Sequence, residues 1–128
     1  MAASPGLTGR ATLLVVPSDT AEAIGSGDVP VLATPAVVAL AERASIEAIT
    51  GHLEAGTTTV GYEVRLTHLA PTPVGAQVDA DATLEGVDGR RLVFRVSVSD
   101  ARGLVAVGRV TRVVVQRDRF LERVRPDA

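Results

Sequence analysis

Cysteine and lysine are absent from this 128-residue chain, and aromatic residues are scarce. The lack of cysteine excludes disulfides, thiolate nucleophiles and cysteine zinc sites, and the presence of only two histidines argues against a dedicated metal centre. Only Tyr62, Phe94 and Phe120 are aromatic, so the core must be packed from small and branched aliphatic residues. No apolar run reaches the length of a membrane span, and the N-terminus has no signal-peptide pattern. We therefore expect a cytoplasmic protein without a metal, a cofactor or a membrane partner.

The net charge of −2 hides an asymmetry along the chain. Residues 1–89 contain 3 basic and 11 acidic side chains, whereas residues 90–128 contain 10 basic and 4 acidic ones. All the basic residues are arginines, whose planar fork suits bidentate contact with the phosphates of a nucleotide-bearing coenzyme. A GC-rich genome also explains the lack of lysine, and exposed strands often contain arginine. Nucleic acid is not an expected partner, because stacking aromatics and an overall basic charge are missing.

The length fits a single domain, residues 1–128, and the apolar patterns divide it into one main helix and five strands. The region from Thr20 to Leu32 is rich in glycine and predicts a loop with at most one helical turn. The predicted strands are Thr8 to Val16, Thr57 to Leu69, Gln77 to Val87, Arg91 to Asp100 and Leu104 to Gln116, with a helix from Thr34 to near Gly51 and a last helical turn at Phe120 to Val124.

The predicted main helix contains a carboxylate in a strongly apolar stretch. Thr34 and Pro35 form a helix start, since a threonine oxygen can cap the first turn and proline suits the first helical position. Glu42 follows six consecutive apolar residues. A stretch that is apolar all round is expected inside a fold, where a carboxylate needs a compensating partner or a function. An ion pair with a strand arginine at the helix surface is the simpler alternative.

The strand from Thr57 ends in one of the two histidines. Alternation places His68 on the same side as Val60, Tyr62, Val64 and Leu66, which we interpret as the inner face. An imidazole and a carboxylate in a dry pocket are components of acid and base chemistry. A histidine satisfied within the core is the alternative interpretation.

One strand, a buried helix and four antiparallel strands predict an α+β fold of the hotdog type, in which a five-stranded sheet wraps one long helix. A cystatin-like curved sheet with a helix across it has the same periodicity. A sheet with a valine-rich edge exposes unpaired backbone, so we expect a homodimer or a higher homo-oligomer that continues the sheet.

Several segments together resemble the fluoroacetyl-CoA thioesterase family of hotdog proteins. They are Ala33 to Pro35, the helix through Glu42, the strand from Gly61 to His68, the hairpin from Leu84 to Leu92, and Gly108 with Arg112, and they span residues 31–116. The resemblance implies that Thr34, Glu42 and His68 are catalytic. It also implies that the backbone N–H of Gly61 lies near the thioester carbonyl and that Arg112 lies near the coenzyme.

The resemblance implies an acyl-CoA thioester hydrolase that needs no cofactor. The aromatic lid residues associated with fluoroacetyl selectivity are missing between Thr20 and Leu32, so a small or medium acyl group is expected. Thr34 and Glu42 would lie about 12 Å apart along a helix axis, which favours a site shared across a dimer. An acyl-CoA hydratase or dehydratase and a non-catalytic acyl-CoA-binding module remain as alternatives for this fold.

Without the resemblance, each residue also has a structural explanation. Thr34 can be a helix cap, Gly61 can mark a bulge, and Arg112 can be a solvated strand residue. The set is more informative than any single member.

Overall fold

The computed structural model describes residues 2–126, and it contains one antiparallel sheet of five strands with a long helix across it. The strand order is β1-β3-β4-β5-β2, so β1 and β2 form the two edges. The strands are β1 (Thr8–Leu14), β2 (Thr57–His68), β3 (Gln77–Asp88), β4 (Arg91–Asp100) and β5 (Gly103–Gln116), and the helices are α1 (Ala21–Ile24), α2 (Thr34–Ile49) and α3 (Arg117–Glu122). The predicted α+β architecture is confirmed.

Alternation in the neighbouring strands β3 and β4 produces a large part of the core. Four residues of β3 and four of β4 point towards α2 and are fully buried: Val78, Ala80, Ala82, Leu84, Leu92, Phe94, Val96 and Val98. The sequence predicted these faces correctly, because one side of each strand is apolar and the other polar. No helix within residues 2–126 is both long enough and apolar enough to cross a membrane.

Helix α2 is buried on one side only, which corrects the expectation that the whole stretch lies inside. Leu40, Ala41 and Ala44 face the sheet and are fully buried, whereas Ile46 is 41% exposed. Glu42 lies at the border of the two sides, and its side chain is 30% exposed.

A bulge in β2 changes the predicted face of the strand. Gly61 pairs with Arg112 and Glu63 with Thr111, so Tyr62 is an extra residue in the ladder. An extra residue reverses the alternation on one side of the bulge. The expectation that Val60 and Tyr62 share the inner face with His68 is therefore wrong, and Tyr62 is 57% exposed.

The remaining boundaries differ from the predictions by one or a few residues. Strand β1 ends at Leu14 rather than Val16, because the N–H of Val15 bonds to Ala76 O in a loop outside the sheet ladder. The last helix begins at Arg117, three residues before the expected position, and its N-terminus is capped by the side chain of Gln116.

Strand β1 approaches α2 at a glycine, and this contact generates a prediction for stability. A Cβ at Gly9 would lie 2.8 Å from Cα of Ala48, a backbone atom that cannot move away alone. We expect Gly9→Ala to lower the free energy of unfolding by about 1–3 kcal/mol, as overpacking does in other cores. Urea unfolding measures the change.

Gly86→Ala is the matched control, because a Cβ at Gly86 meets no atom within 4 Å and the residue is also in a strand. If both variants lost the same free energy of unfolding, the close approach of β1 to α2 at Gly9 would be contradicted.

Candidate active site

The first pair of predicted site residues is joined by a hydrogen bond. Thr34 is the first residue of α2 and His68 is the last residue of β2, and Thr34 Oγ1 lies 2.8 Å from His68 Nδ1. The helix cap is Ala33, and its side chain makes no capping bond. The interpretation of Thr34 as a helix cap is therefore wrong, since its hydroxyl contacts the imidazole instead.

The second nitrogen of the same imidazole has no partner. His68 Nε2 is buried and makes no hydrogen bond among the described residues. Buried polar atoms are normally bonded, so an orphaned ring nitrogen calls for an explanation. A ring nitrogen that is held in place but free is suited to accepting or donating a proton in a reaction.

A cavity of about 350 Å³ lies against Thr34 and His68. Its other walls come from the segment before α2 and from the loop after β2: Ala21, Ser26, Gly27, Asp28, Val29, Val31, Leu32, Ala33, Leu69, Ala70 and Pro71. None of the described residues that line it is aromatic. The volume is in the usual range for a small-molecule pocket.

The loop after β2 is held by a buried hydroxyl that sequence reasoning missed. Thr72 is fully buried, and its hydroxyl donates to Asp100 Oδ2 at 3.0 Å. The Thr72 carbonyl accepts from Leu32 N at 2.9 Å, which ties the loop to the residues before α2. Hydrogen bonds from Arg102 N and Thr72 hold the pKa of Asp100 below its usual value. These bonds fix two walls of the cavity relative to each other.

The second group of predicted residues is a buried ion pair between α2 and β5. Arg112 donates from Nη1 to Glu42 Oε2 at 2.8 Å, from Nε to Thr59 Oγ1 at 2.9 Å, and from Nη2 to Thr59 O at 3.0 Å. Arg112 is only 6% exposed, so its interpretation as a solvated strand residue is wrong. Burial lowers the pKa of Arg112, and the Glu42 carboxylate opposes this shift. Arginine stays charged despite such a shift.

Gly61 provides the space for this ion pair. A Cβ on Gly61 would lie 2.6 Å from Glu42 Oε2, which is closer than a side chain permits. Thr59, which sequence reasoning missed, is two residues away on the same strand face. Its place on that face could have been found from the two-residue period of a strand.

The two groups do not meet within one chain. The hydrogen bonds of residues 2–126 join His68 to Thr34 and Glu42 to Arg112, and none connects the groups. Thr34 and Glu42 are eight residues apart on α2, which corresponds to about 12 Å along the axis. No group of three or more histidine, aspartate or glutamate side chains in the described part of the chain is arranged to hold a metal ion.

A curled antiparallel sheet around one helix, with polar residues at an edge strand, defines a hotdog-fold protein. The model of the FlK family, fluoroacetyl-CoA-specific thioesterase, matches residues 15–118. The chain therefore belongs to the fluoroacetyl-CoA-specific thioesterase family, as the sequence resemblance predicted.

Individual relatives agree with this assignment. The chain is 38% identical over 95 residues to a fluoroacetyl-CoA thioesterase of Streptantibioticus cattleyicolor, covering 74% of this chain and 68% of the relative. A solved structure of the fluoroacetyl-CoA thioesterase FlK superposes with a TM-score of 0.90 at 30% identity, covering 100% of this chain and 99% of that one. A thioesterase superfamily member of Thermus thermophilus gives 0.88 at 29% identity, covering 94% and 90%.

The buried guanidinium generates a prediction for stability. Arg112→Gln removes the charged partner of Glu42 and up to three hydrogen bonds, so we expect a loss of about 2 kcal/mol in the free energy of unfolding. Urea unfolding at neutral pH measures it.

The control is Arg10→Gln, which breaks an exposed pair with Asp81 and is expected to cost less than about 1 kcal/mol. A loss in Arg112→Gln no larger than in Arg10→Gln would contradict a structural role for the buried pair.

Proposed function

We propose that the protein hydrolyses the thioester of a small or medium acyl group on coenzyme A. The observation that carries the proposal is the hydrogen bond between Thr34 and His68, made at the wall of a cavity while the other ring nitrogen is buried and free. Membership of a thioesterase family supports the reaction type. A cavity of about 350 Å³ without an aromatic wall supports an acyl group of small or medium size over selectivity for fluoroacetyl.

One tautomer of His68 gives both residues a role. If Nδ1 carries the proton, it donates to Thr34 Oγ1, and the threonine hydroxyl donates onward to the oxygen of the thioester carbonyl. The Nε2 lone pair then accepts a proton from water as the water adds to the carbonyl carbon. The carbon–sulfur bond breaks, and the proton held by His68 passes to the departing thiolate. Only water and the ester are consumed, so no cofactor is required.

Glu42 and Gly61 complete the proposed site. Glu42 has one of two roles. It attacks the carbonyl carbon, which releases the thiolate and forms an acyl anhydride that the water activated by His68 then hydrolyses, with the proton from that water passing to the thiolate; or it shares with His68 the activation of the water that attacks the ester directly. Arg112 donates to Oε2 of Glu42, and the Glu42 side chain is 30% exposed. The Gly61 N–H helps to hold the oxyanion that develops on the carbonyl, as backbone donors do in acyl transfer. Arg112 contributes to substrate binding by fixing the carboxylate beside this position.

We propose a homodimer because the two groups of site residues lie on different parts of α2. Strand β2 is an edge of twelve residues with an unpaired side. If two copies pair antiparallel about Val64, Glu63 of each lies opposite Arg65 of the other. The same register sets His68 of one copy opposite Val60 of the second, next to the second copy's Gly61. Each active site would then combine Thr34 and His68 from one copy with Glu42 from the other.

The family model covers most of the chain, which supports a single hotdog domain over residues 1–128. A coenzyme A ester as substrate agrees with the cytoplasmic location expected from the sequence.

Thiol release from a panel of acyl-CoA esters tests the activity. Removing a general base costs about 10²–10⁴ in rate, so we expect His68→Gln to lower kcat by at least a hundredfold. Thr34→Val should lower kcat, and Thr34→Ser, which keeps the hydroxyl, should recover most of it. Thr12→Val, which alters a threonine bonded to Asp79 on the far edge, is the control and should keep full activity.

Two results would overturn the assignment. Undiminished hydrolysis by the Glu42→Ala, His68→Ala double variant would remove these residues from the mechanism. Saturable binding of the esters without thiol release would identify a binding module, and addition of water to an unsaturated acyl chain would identify a hydratase.

A charge swap tests the dimer. In the proposed register, Arg65→Glu places Glu63 of each copy opposite a glutamate at position 65 of the other. Like charges across an interface are unfavourable. We expect analytical ultracentrifugation to give twice the chain mass of 13.2 kDa for the wild type and a dimer weakened by at least about tenfold for Arg65→Glu.

The double variant Glu63→Arg, Arg65→Glu restores opposite charges and should restore the dimer and the activity. Because both side chains are exposed, neither change should affect folding of the chain. A fully active monomer, or a double variant as weak as the single one, would contradict the proposed register.

A further inference from the structure

The arginines of this chain fall into two groups. Six of them lie within 4.0 Å of a carboxylate oxygen: Arg10, Arg65, Arg95, Arg102, Arg109 and Arg112. The other seven arginines make no such pair within residues 2–126, and all seven are exposed. Three of these seven are Arg90, Arg91 and Arg123. They come from the β3–β4 turn, the start of β4 and the residue after α3, yet they line one groove. Three arginines without a carboxylate partner are thus gathered at one place on the surface.

This groove runs along the outer face of the sheet and has a volume of about 520 Å³. Valines of β2 and β5 form its floor, and the rings of Tyr62 and Phe120 line it. Among residues 2–126, Asp88 is the one acidic residue in its wall, so the three arginines leave an excess of two positive charges by simple count. A groove with guanidinium groups and aromatic rings fits an anion that also has a flat ring.

Two of the guanidinium groups are oriented by aromatic rings. Arg91 Nη2 donates to the hydroxyl of Tyr62 at 2.9 Å, and its guanidinium carbon lies 4.5 Å from the ring centroid. The guanidinium carbon of Arg123 lies 5.9 Å from the ring centroid of Phe120. Because a guanidinium has five N–H donors, Arg91 keeps most of its donors for an anion. Orientation before binding reduces the entropy that a ligand must overcome.

The groove reaches the site described above through a shared residue. Gly61 lines the groove and also lies beside the Glu42 carboxylate. Arg112 is unsuited to a phosphate, because it is buried and three of its donors are bound by Glu42 and Thr59. Phosphates of a substrate whose thioester lies near Gly61 would therefore meet the exposed arginines instead.

We propose that this groove binds the nucleotide end of the coenzyme A substrate, with Arg90, Arg91 and Arg123 contacting phosphate oxygens and the rings of Tyr62 and Phe120 contacting the adenine. The proposal rests on the proposed function, because it assigns a further part of the same substrate. It predicts that these arginines act on binding of the nucleotide and leave the chemical step unchanged.

The test compares an acyl-CoA ester with the matching acyl-pantetheine ester, which lacks the nucleotide. For the double variant Arg91→Gln, Arg123→Gln we expect KM for acyl-CoA to rise about tenfold or more, as loss of charge-assisted bonds to phosphate implies. We expect kcat for acyl-CoA and both constants for acyl-pantetheine to stay unchanged. Arg10→Gln, an exposed arginine on β1, is the matched control and should change neither substrate.

A dephospho-CoA ester identifies which phosphate is bound. A smaller effect of the double variant on this ester assigns the arginines to the 3′-phosphate, and an equal effect assigns them to the pyrophosphate. In the unaltered protein, raising the salt concentration should raise KM for acyl-CoA more than for acyl-pantetheine. This measurement does not depend on the folding of a variant. The proposal would be overturned if the double variant and added salt changed KM equally for acyl-CoA and acyl-pantetheine. It would also be overturned if neither changed KM for acyl-CoA.

Calorimetry with adenosine 3′,5′-bisphosphate separates this proposal from the proposed function. Binding by the wild type that is lost in the double variant supports the groove, even if no ester releases thiol and the hydrolase assignment fails. If the double variant hydrolyses acyl-CoA with an unaltered KM, the protein is a hydrolase but the groove is not its nucleotide site.

Discussion

The structure depends on the ion pair that joins α2 to β5 beneath the bulge of β2. Taking the Arg112 guanidinium out of water is costly, and the cost is offset only because Glu42 and Thr59 accept three hydrogen bonds from it. These bonds tie the middle of α2 to strands β5 and β2. The same helix begins at Thr34, so its hydroxyl meets His68 at the far end of β2 as a consequence of that placement.

The fold could be predicted because its information is local and periodic. Strands β3 and β4 alternate between apolar and polar residues, and the helix start at Thr34 and Pro35 has a defined residue pattern. The bulge at Tyr62 could not be predicted, because an extra residue in a ladder is defined by the partner strand β5 and leaves no distinct mark on its own sequence. Because of this extra residue, Val60 and Tyr62 lie on the outer face of the sheet, whereas Val64 and His68 lie on the inner face as predicted.

The site residues were found by resemblance, but their contacts were not. Local preference makes Thr34 a cap, and the tertiary contact with His68 overrides that preference. A charged residue in the valine-rich β5 is expected in solvent, and Arg112 is buried because Thr59 and Glu42 satisfy it from two other elements. Such partners are 53 and 70 residues away in the chain, and no pattern within a strand or a helix contains them.

Gly61 connects the two faces of the edge strand. On the inner side it has no side chain, so the Glu42 carboxylate stands against the strand, where a Cβ would displace it. The extra residue after it turns Tyr62 outward, where the ring holds Arg91 over the groove. A glycine at the bulge therefore brings a carboxylate and an exposed guanidinium close to the same stretch of backbone from opposite faces. In the proposed complex, the carbonyl end of the substrate contacts the carboxylate side and the phosphates contact the guanidinium side.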